Sequence, residues 1–405
     1  MSQETIISAL DTNHIDKLCP NCGAVGLLPC FDLKQVPAHS CLLMSSRDEA
    51  LEYPRGHLYL GFCEGCGFLC NADYNPTFQS YSPNYEETQH FSECFSAFAR
   101  RLAQRWVDQY QLHAKTILEI GCGKGQFLDL MCELGNNRGI GIDPACRPER
   151  LSLEAKSRVT FIQDYYDESY THLTADVICC RHTLEHIHET QEFLSSVRRT
   201  IGDRLDTLML FELPDVTRVL REYAFWDLYY EHCSYFTAGS LARLFRLCGF
   251  DLLELERDFD DQYLILAARP VNQPTASELE LEDDLKLTRQ DVMAFRDGHK
   301  KAIQSWRLKV QSLAKTGRVI AWGGGSKCVA FFTTLGIQDE IEYVVDINPF
   351  KHGKFLPGTG HEVISPERLR DYQPDHVLVM NPIYCSEISQ TLAALNVNAS
   401  LIPVC

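Results

Sequence analysis

Apolar positions along this chain form two series in which short runs of strand type alternate with stretches of helical spacing. The first series centres on residues 116–120, Thr-Ile-Leu-Glu-Ile. It breaks into three alternating glycines, Gly121, Gly123 and Gly125, and an apolar pattern of helical spacing then resumes. That predicts a strand, a tight turn and a helix start. A helix is predicted ahead of it over 86–110, further strands at 138–143, 159–164, 176–180 and 207–213, and a hairpin over 251–266 that closes the sheet. Arg269 to Thr275 breaks the pattern, and a charged helical stretch over 277–314, marked by Leu279, Leu281, Leu285 and Leu287, reads as a connecting helix. The second series follows: a strand at 318–322, a glycine turn at 323–327, a helix at 328–335, and strands at 341–345, 376–380 and near 400–404.

Glycines at such turns permit positive φ and let a ligand approach the main chain, with the N–H groups of the next helix behind it. A nucleotide-like cofactor is therefore expected on the first turn, and the spacing selects which. A dinucleotide fingerprint is G-x-G-x-x-G. Here the glycines run G-x-G-x-G, and the strand before them carries Glu119. The next strand ends in Asp143, placed to accept hydrogen bonds from ribose hydroxyls, and the third in Asp164, placed to meet an adenine amine. Glu119, Gly121, Gly123, Gly125, Asp143 and Asp164 in that order resemble the class I S-adenosylmethionine (SAM) methyltransferases. The resemblance implies a Rossmann-like α/β core with SAM as its cofactor. The second glycine turn, with Lys327 available for a phosphate, is anion-friendly in the same way; it fits a phosphorylated substrate, an NAD-like ligand or no ligand at all.

The N-terminal stretch adds a different chemistry, that of paired cysteines. Cys19-Pro-Asn-Cys22-Gly and Cys63-Glu-Gly-Cys66-Gly each read as a knuckle whose two thiolates face one ion, and two knuckles complete a four-cysteine site with no open position. That implies a structural zinc, with iron as the other occupant considered. A thioredoxin-type redox pair is the rival, but no βαβ pattern surrounds these cysteines. The chain has 18 cysteines, many of them inside apolar strands and helices where a thiol packs as a small hydrophobe, so disulfides are not expected.

At 405 residues with a net charge of −17, two or three domains are expected, and an extended nucleic-acid surface is disfavoured. Neither a signal core nor a long uncharged apolar run is present, so a cytoplasmic enzyme with no membrane partner is expected.

Chemistry concentrates at two further stretches. Ligands of doubly wound sheets lie beyond the carboxyl ends of the strands, which puts Arg181-His182-Thr-Leu-Glu-His186-Ile-His188 beside the cofactor, His182 among its binding residues. Residues 225–237 are dense in aromatic and imidazole side chains and lack a clean period. His232 suits acid–base work near neutrality, and Glu231 beside it is expected to orient the ring or raise its basicity. Tyr81 or Tyr85, in the aromatic stretch 74–85, serves either as linker packing or as a lid over the site.

Taken together, the knuckles, Glu119 with its glycines, His186-Ile and Tyr229-Tyr-Glu231-His232 resemble the SAM-dependent C-methyltransferases of deoxysugar biosynthesis over nearly the full length. The resemblance implies three domains: a zinc-binding module (1–75), a methyltransferase domain (76–270) and a C-terminal Rossmann-like domain that binds substrate (271–405). It places the general base on His232, with Tyr229, Glu231 and His186 around it, and implies a small-molecule acceptor such as a nucleotide sugar, on a monomer or homodimer; Tyr85 is a further catalytic candidate. The expected reaction is C-methylation next to a ketone. O- or N-methylation of another small molecule is the alternative; a scaffold that has lost catalysis and an NAD(P) oxidoreductase are the other readings weighed.

Overall fold

The computed structural model describes residues 14–405 apart from Ser80, Ser82, Pro83, Pro274 and Ala276. Residues 1–13, the start of the expected zinc module, lie outside the described residues. Three sheets organise the chain. The first is antiparallel and contains β1 (Ile15–Leu18), β2 (Val25–Pro37), β3 (Arg55–Phe62) and β4 (Leu69–Asn71).

The second has seven strands: β5 (Thr116–Ile120), β6 (Arg138–Ile142), β7 (Val159–Ile162), β8 (Val177–Arg181), β9 (Leu208–Pro214), and a hairpin that closes it. Between β9 and that hairpin lies β10 (Ser234–Tyr235), which leaves this sheet and pairs with β4, Ser234 opposite Cys70 and Tyr235 opposite Leu69. The aromatic stretch with no period of its own thus completes the sheet of the cysteine module. The hairpin is β11 (Phe250–Asp258) and β12 (Tyr263–Pro270), and the strand order is β11-β12-β9-β8-β5-β6-β7, with β12 antiparallel to its neighbours and the rest parallel. This is the expected class I core.

The third sheet is parallel throughout, in the order β15-β14-β13-β16-β17, from β13 (Val319–Trp322), β14 (Tyr343–Val345), β15 (Glu362–Ile364), β16 (His376–Val379) and β17 (Ser400–Pro403). It forms a separate C-terminal α/β domain.

Two helices differ from expectation. The one predicted from residue 86 runs Glu93–Tyr110, because Ser92 caps it by accepting the N–H of Phe95. The side chains ahead of the cap are used elsewhere: Glu86 takes both guanidinium nitrogens of Arg150 and the Asn348 amide, and Gln89 accepts from Tyr384. The charged helix runs Leu285–Thr316 and does more than connect. Its buried face is Val292, Phe295, His299, Ile303, Trp306 and Val310, at the three- and four-residue steps of one helix stripe. Of the leucines expected to mark it, Leu279 and Leu281 precede it and Leu287 is exposed. Phe295 meets Phe31 of β2, and Trp306 meets Trp226 and Phe331, so one apolar cluster joins the N-terminal sheet, the aromatic stretch and the C-terminal domain. No helix among the described residues is long and apolar enough to cross a membrane.

Candidate active site

A single cavity of about 640 Å³ lies where these parts meet. It is lined by the first glycine turn, by the segment after β8, by the aromatic stretch, and by Ser326, Lys327, Asn348 and Asn381 of the C-terminal domain. The carboxyl ends of β5, β6 and β8 open into it, as a doubly wound sheet requires.

At the turn, Gly121, Gly123 and Gly125 have φ of 73, 53 and 82°. The room their missing side chains leave is used mainly by the protein itself: a Cβ on Gly121 would collide with Thr183, and one on Gly125 with Phe161. Gly123 faces the movable Glu87 carboxylate. Asp143 accepts the Gly123 N–H at 2.8 Å and the Ala145 N–H at 2.6 Å, which fixes the turn to the end of β6. Asp164 is exposed at the cavity edge and accepts from the Tyr170 hydroxyl at 2.7 Å. The same device recurs in the C-terminal domain, where Asp346 accepts the Gly324 N–H at 2.9 Å.

Glu119 is buried, and burial pushes its carboxyl up to about 8. Its Oε2 has no protein partner, so the cavity offers a buried acceptor that a ligand's hydroxyl or ammonium would satisfy. This orphan oxygen over a fixed glycine turn suits an adenosyl amino-acid cofactor. Lys124, fully buried, donates to the Tyr85 carbonyl at 2.7 Å and the Ala145 carbonyl at 3.0 Å and pairs with Glu87 at 3.3 Å. It ties the segment ahead of the Glu93–Tyr110 helix to the turn.

Beyond β8 the chain turns sharply at His182, whose φ is 46°. Its Nε2 meets Glu212 at 2.9 Å and its Nδ1 lies 3.6 Å from Glu185. Burial acts against charging this ring, but Glu212 and Glu185 outweigh it and raise the imidazole to about 9. Arg181 shares Glu212 at 2.6 Å and stands over the Phe127 ring. His186 Nδ1 donates to the Glu231 carbonyl at 3.0 Å and meets the Tyr81 hydroxyl at 2.7 Å. His188 is not part of the cavity and stacks on Tyr74 instead.

His232 is 7 % exposed, with its ring between Tyr229, at 4.2 Å between centroids, and His186, at 4.6 Å. Burial first, then the charges of His186, His182 and Lys327, hold it well below the ordinary imidazole value. Burial likewise keeps the Tyr229 phenol protonated.

Glu231 does not orient His232. Its carboxylate accepts from His39 Nδ1 at 3.3 Å, Ser40 N–H at 3.2 Å, the Ser40 hydroxyl, Tyr85 OH at 2.8 Å and Ser326 Oγ at 3.3 Å. Burial acts to raise this carboxyl, but those donors and the charges of His39 and His186 bring it below the usual range. Tyr85 is therefore a strut on Glu231 rather than a lid, and Tyr81 is bonded to His186. Lys327 is not free for a phosphate: it pairs with Asp227 at 2.7 Å and reaches Gln262 at 3.3 Å. Sequence reasoning missed Lys124, Glu185, Glu212, His39 and Ser40.

At the N-terminal module Cys19, Cys22, Cys63 and Cys66 converge with all four sulfurs within 4.8 Å of one another. The pairs Cys19–Cys66 and Cys22–Cys63 are 3.6 and 3.7 Å apart. A tetrahedron with metal–sulfur bonds of about 2.3 Å has edges of about 3.8 Å, so the spacing fits one four-thiolate ion. Cys30, Cys41 and Cys70 are buried packing residues, and no cysteine forms a disulfide.

A family profile described as "Methyltransferase domain" matches residues 89–255, and one described as "C-methyltransferase C-terminal domain" matches residues 265–402. The C-methyltransferase NovU of Streptomyces niveus is 26 % identical over 307 residues, 71 % of this chain and 72 % of that protein. Among solved structures, a 1,6-didemethyltoxoflavin-N1-methyltransferase of Burkholderia thailandensis is 20 % identical, with 43 % of this chain and 79 % of that one covered at a TM-score of 0.35. The N,N-8-amino-8-demethyl-D-riboflavin dimethyltransferase of Streptomyces davawensis is 19 % identical, with 44 and 56 % covered at 0.35. With a class I core, a matching methyltransferase domain and a matching C-methyltransferase C-terminal domain on either side of one cleft, the chain is a SAM-dependent C-methyltransferase.

Proposed function

We propose that the cleft methylates a carbon next to a ketone, with a nucleotide-linked keto-deoxysugar as acceptor. The observation that carries this reading is His232: a buried imidazole, neutral at physiological pH, that faces the same cavity as the glycine turn and is bracketed by a phenol and a second imidazole. A C–H beside a carbonyl gives up its proton only with a positioned base and with donors for the oxygen that becomes negative. His232 takes the proton, and Tyr229 OH or His186 donates to the enolate oxygen. SAM, when bound, would supply an electrophilic methyl group carried on its sulfonium. Glu119, the Gly121–Gly123–Gly125 turn, Asp143, Asp164 and His182 would hold that cofactor. The C-terminal domain's share of the cavity wall, including Asn348 and Asn381, holds the nucleotide portion of the acceptor.

Zinc fits the four thiolates and stays out of the chemistry, since the site has no open position. The test is His232→Asn with SAM and a panel of nucleotide-linked keto-deoxysugars. The variant binds SAM with parent affinity and loses methyl transfer by about 10²-fold or more. Transfer at the parent rate would remove His232 from the role of base. Transfer in D₂O without deuterium entering at the methylated carbon's neighbourhood or the recovered acceptor would favour O- or N-methylation.

A further inference from the structure

An imidazole that accepts a proton must then hold a positive charge, and the surroundings of His232 oppose it. His186 packs on the ring together with Tyr229 and Tyr235, the charges of His182 and Lys327 act on it from further off, and a bound sulfonium would add one more cation. The carboxylate next to it in sequence, Glu231, is turned away and saturated by donors from three other parts of the chain.

Glu185 is differently placed. It sits in the single turn Leu184–His186 that follows β8, is 3 % exposed, and lines the cavity. Neither of its carboxylate oxygens has a hydrogen-bond partner. One of them lies within 4.8 Å of a ring nitrogen of both His186 and His232. Its other neighbour, His182 Nδ1 at 3.6 Å, is already held from its far side by Glu212 at 2.9 Å. A buried carboxylate with neither oxygen hydrogen-bonded, and with its one ionic neighbour shared with Glu212, is costly unless a donating partner arrives.

We propose that Glu185 is the positioning carboxylate of the site, accepting the N–H of the His232 imidazolium formed when the acceptor's carbon is deprotonated. This rests on His232 being the base. In the step the C–H bond breaks, its proton becomes the N–H of His232, its electron pair stays on carbon as the enolate, and the new positive charge faces the Glu185 carboxylate. The same trio also has the composition of a divalent-cation site, but a cation there would join His182, Lys327 and the sulfonium, and would occupy the lone pair that His232 needs.

The experiment separates deprotonation from transfer. Full-length enzyme is incubated in D₂O with S-adenosylhomocysteine and a nucleotide-linked keto-deoxysugar that the parent methylates, and deuterium wash-in beside the ketone is followed by NMR. Glu185→Gln slows wash-in at least about tenfold, leaves SAM affinity and the acceptor KM within about twofold of the parent, and is partly rescued by Glu185→Asp. Wash-in at the parent rate in Glu185→Gln overturns the proposal. So does parent wash-in that is abolished by a chelator and restored by Mn²⁺, which would make the trio a cation site. If the parent itself shows no wash-in while it methylates, the base reading fails, and this inference falls with it for a distinguishable reason.

Discussion

Glu231→Gln is the most informative single change, because it keeps shape and removes only a charge. The parent carboxylate accepts from His39 and Ser40 of the N-terminal module, Tyr85 of the segment over the turn, and Ser326 at the start of the helix Ser326–Leu335. A carboxylate only accepts, whereas a carboxamide has one accepting oxygen and two N–H donors. The hydroxyls of Tyr85 and Ser326 can rotate to accept and His39 can change tautomer, but the Ser40 N–H cannot reverse and will claim the carboxamide oxygen. Each remaining contact changes from a charge-assisted bond of about 1.5–3 kcal/mol to a neutral one of about 0.5–1.5. With several such contacts the loss is on the order of 3–5 kcal/mol, the range found when a buried ionic contact is broken. Amide hydrogen exchange then accelerates by about 10²-fold or more at residues 39–41, 85–87 and 231–233, where opening becomes easier. SAM affinity changes little, because Glu231 does not touch the glycine turn, while methyl transfer falls as the walls of the acceptor pocket loosen. Parent-like exchange would refute the bracing role. Parent-like exchange together with lost transfer would move Glu231 into the chemistry itself.

Other expectations follow from the same contacts. Purified enzyme carries one zinc per chain with a Zn–S distance of about 2.3 Å by X-ray absorption, and Cys66→Ser abolishes it; an iron spectrum, or a full metal load in the variant, would contradict the assignment. Gly121→Ala drives a Cβ into Thr183 at a φ of 73°, so SAM binding by calorimetry weakens by at least about tenfold, the equivalent of the 1–2 kcal/mol a left-handed residue costs; unchanged affinity would contradict it. His182 has its imidazole raised to about 9 against burial, chiefly by Glu212. Its contribution, on the order of 3 kcal/mol, is complete below the unfolded value near 6.5 and is lost as pH rises through 9. Urea stability therefore falls across that window in the parent and stays flatter in His182→Gln; matching slopes would show that Glu212 does not hold a cation there.

The parts legible in sequence were those written in local spacing. The glycine turn, its flanking strand ends and the two cysteine knuckles each depend on residues a few positions apart, and all stand where expected. What could not be read depends on contacts across the chain. Glu231 and His232 are neighbours in sequence but face different surroundings, and the donors that claim Glu231 come from residues 39, 40, 85 and 326. Glu185 gave no signal beside two more conspicuous histidines. Lys124 sits between two glycines of the turn with no local pattern to mark it, and its ammonium is buried among backbone carbonyls. The helix before the core starts at Glu93 because Ser92 caps it, while the acids ahead of it, which suit a first helical turn, answer Arg150, Asn348 and Lys124 instead. The stretch around residue 230 showed no period because it is pinned from outside, by β4 and by the helix Leu285–Thr316.

A crystal structure of the enzyme with S-adenosylhomocysteine decides whether cofactor and base share one cavity. The thioether sulfur is expected above the Gly121–Gly125 turn, the ribose at Asp143, and a path from that sulfur into the cavity that ends at the His232 ring. A sulfur that faces away from His232 and Tyr229, with protein between them, would contradict it.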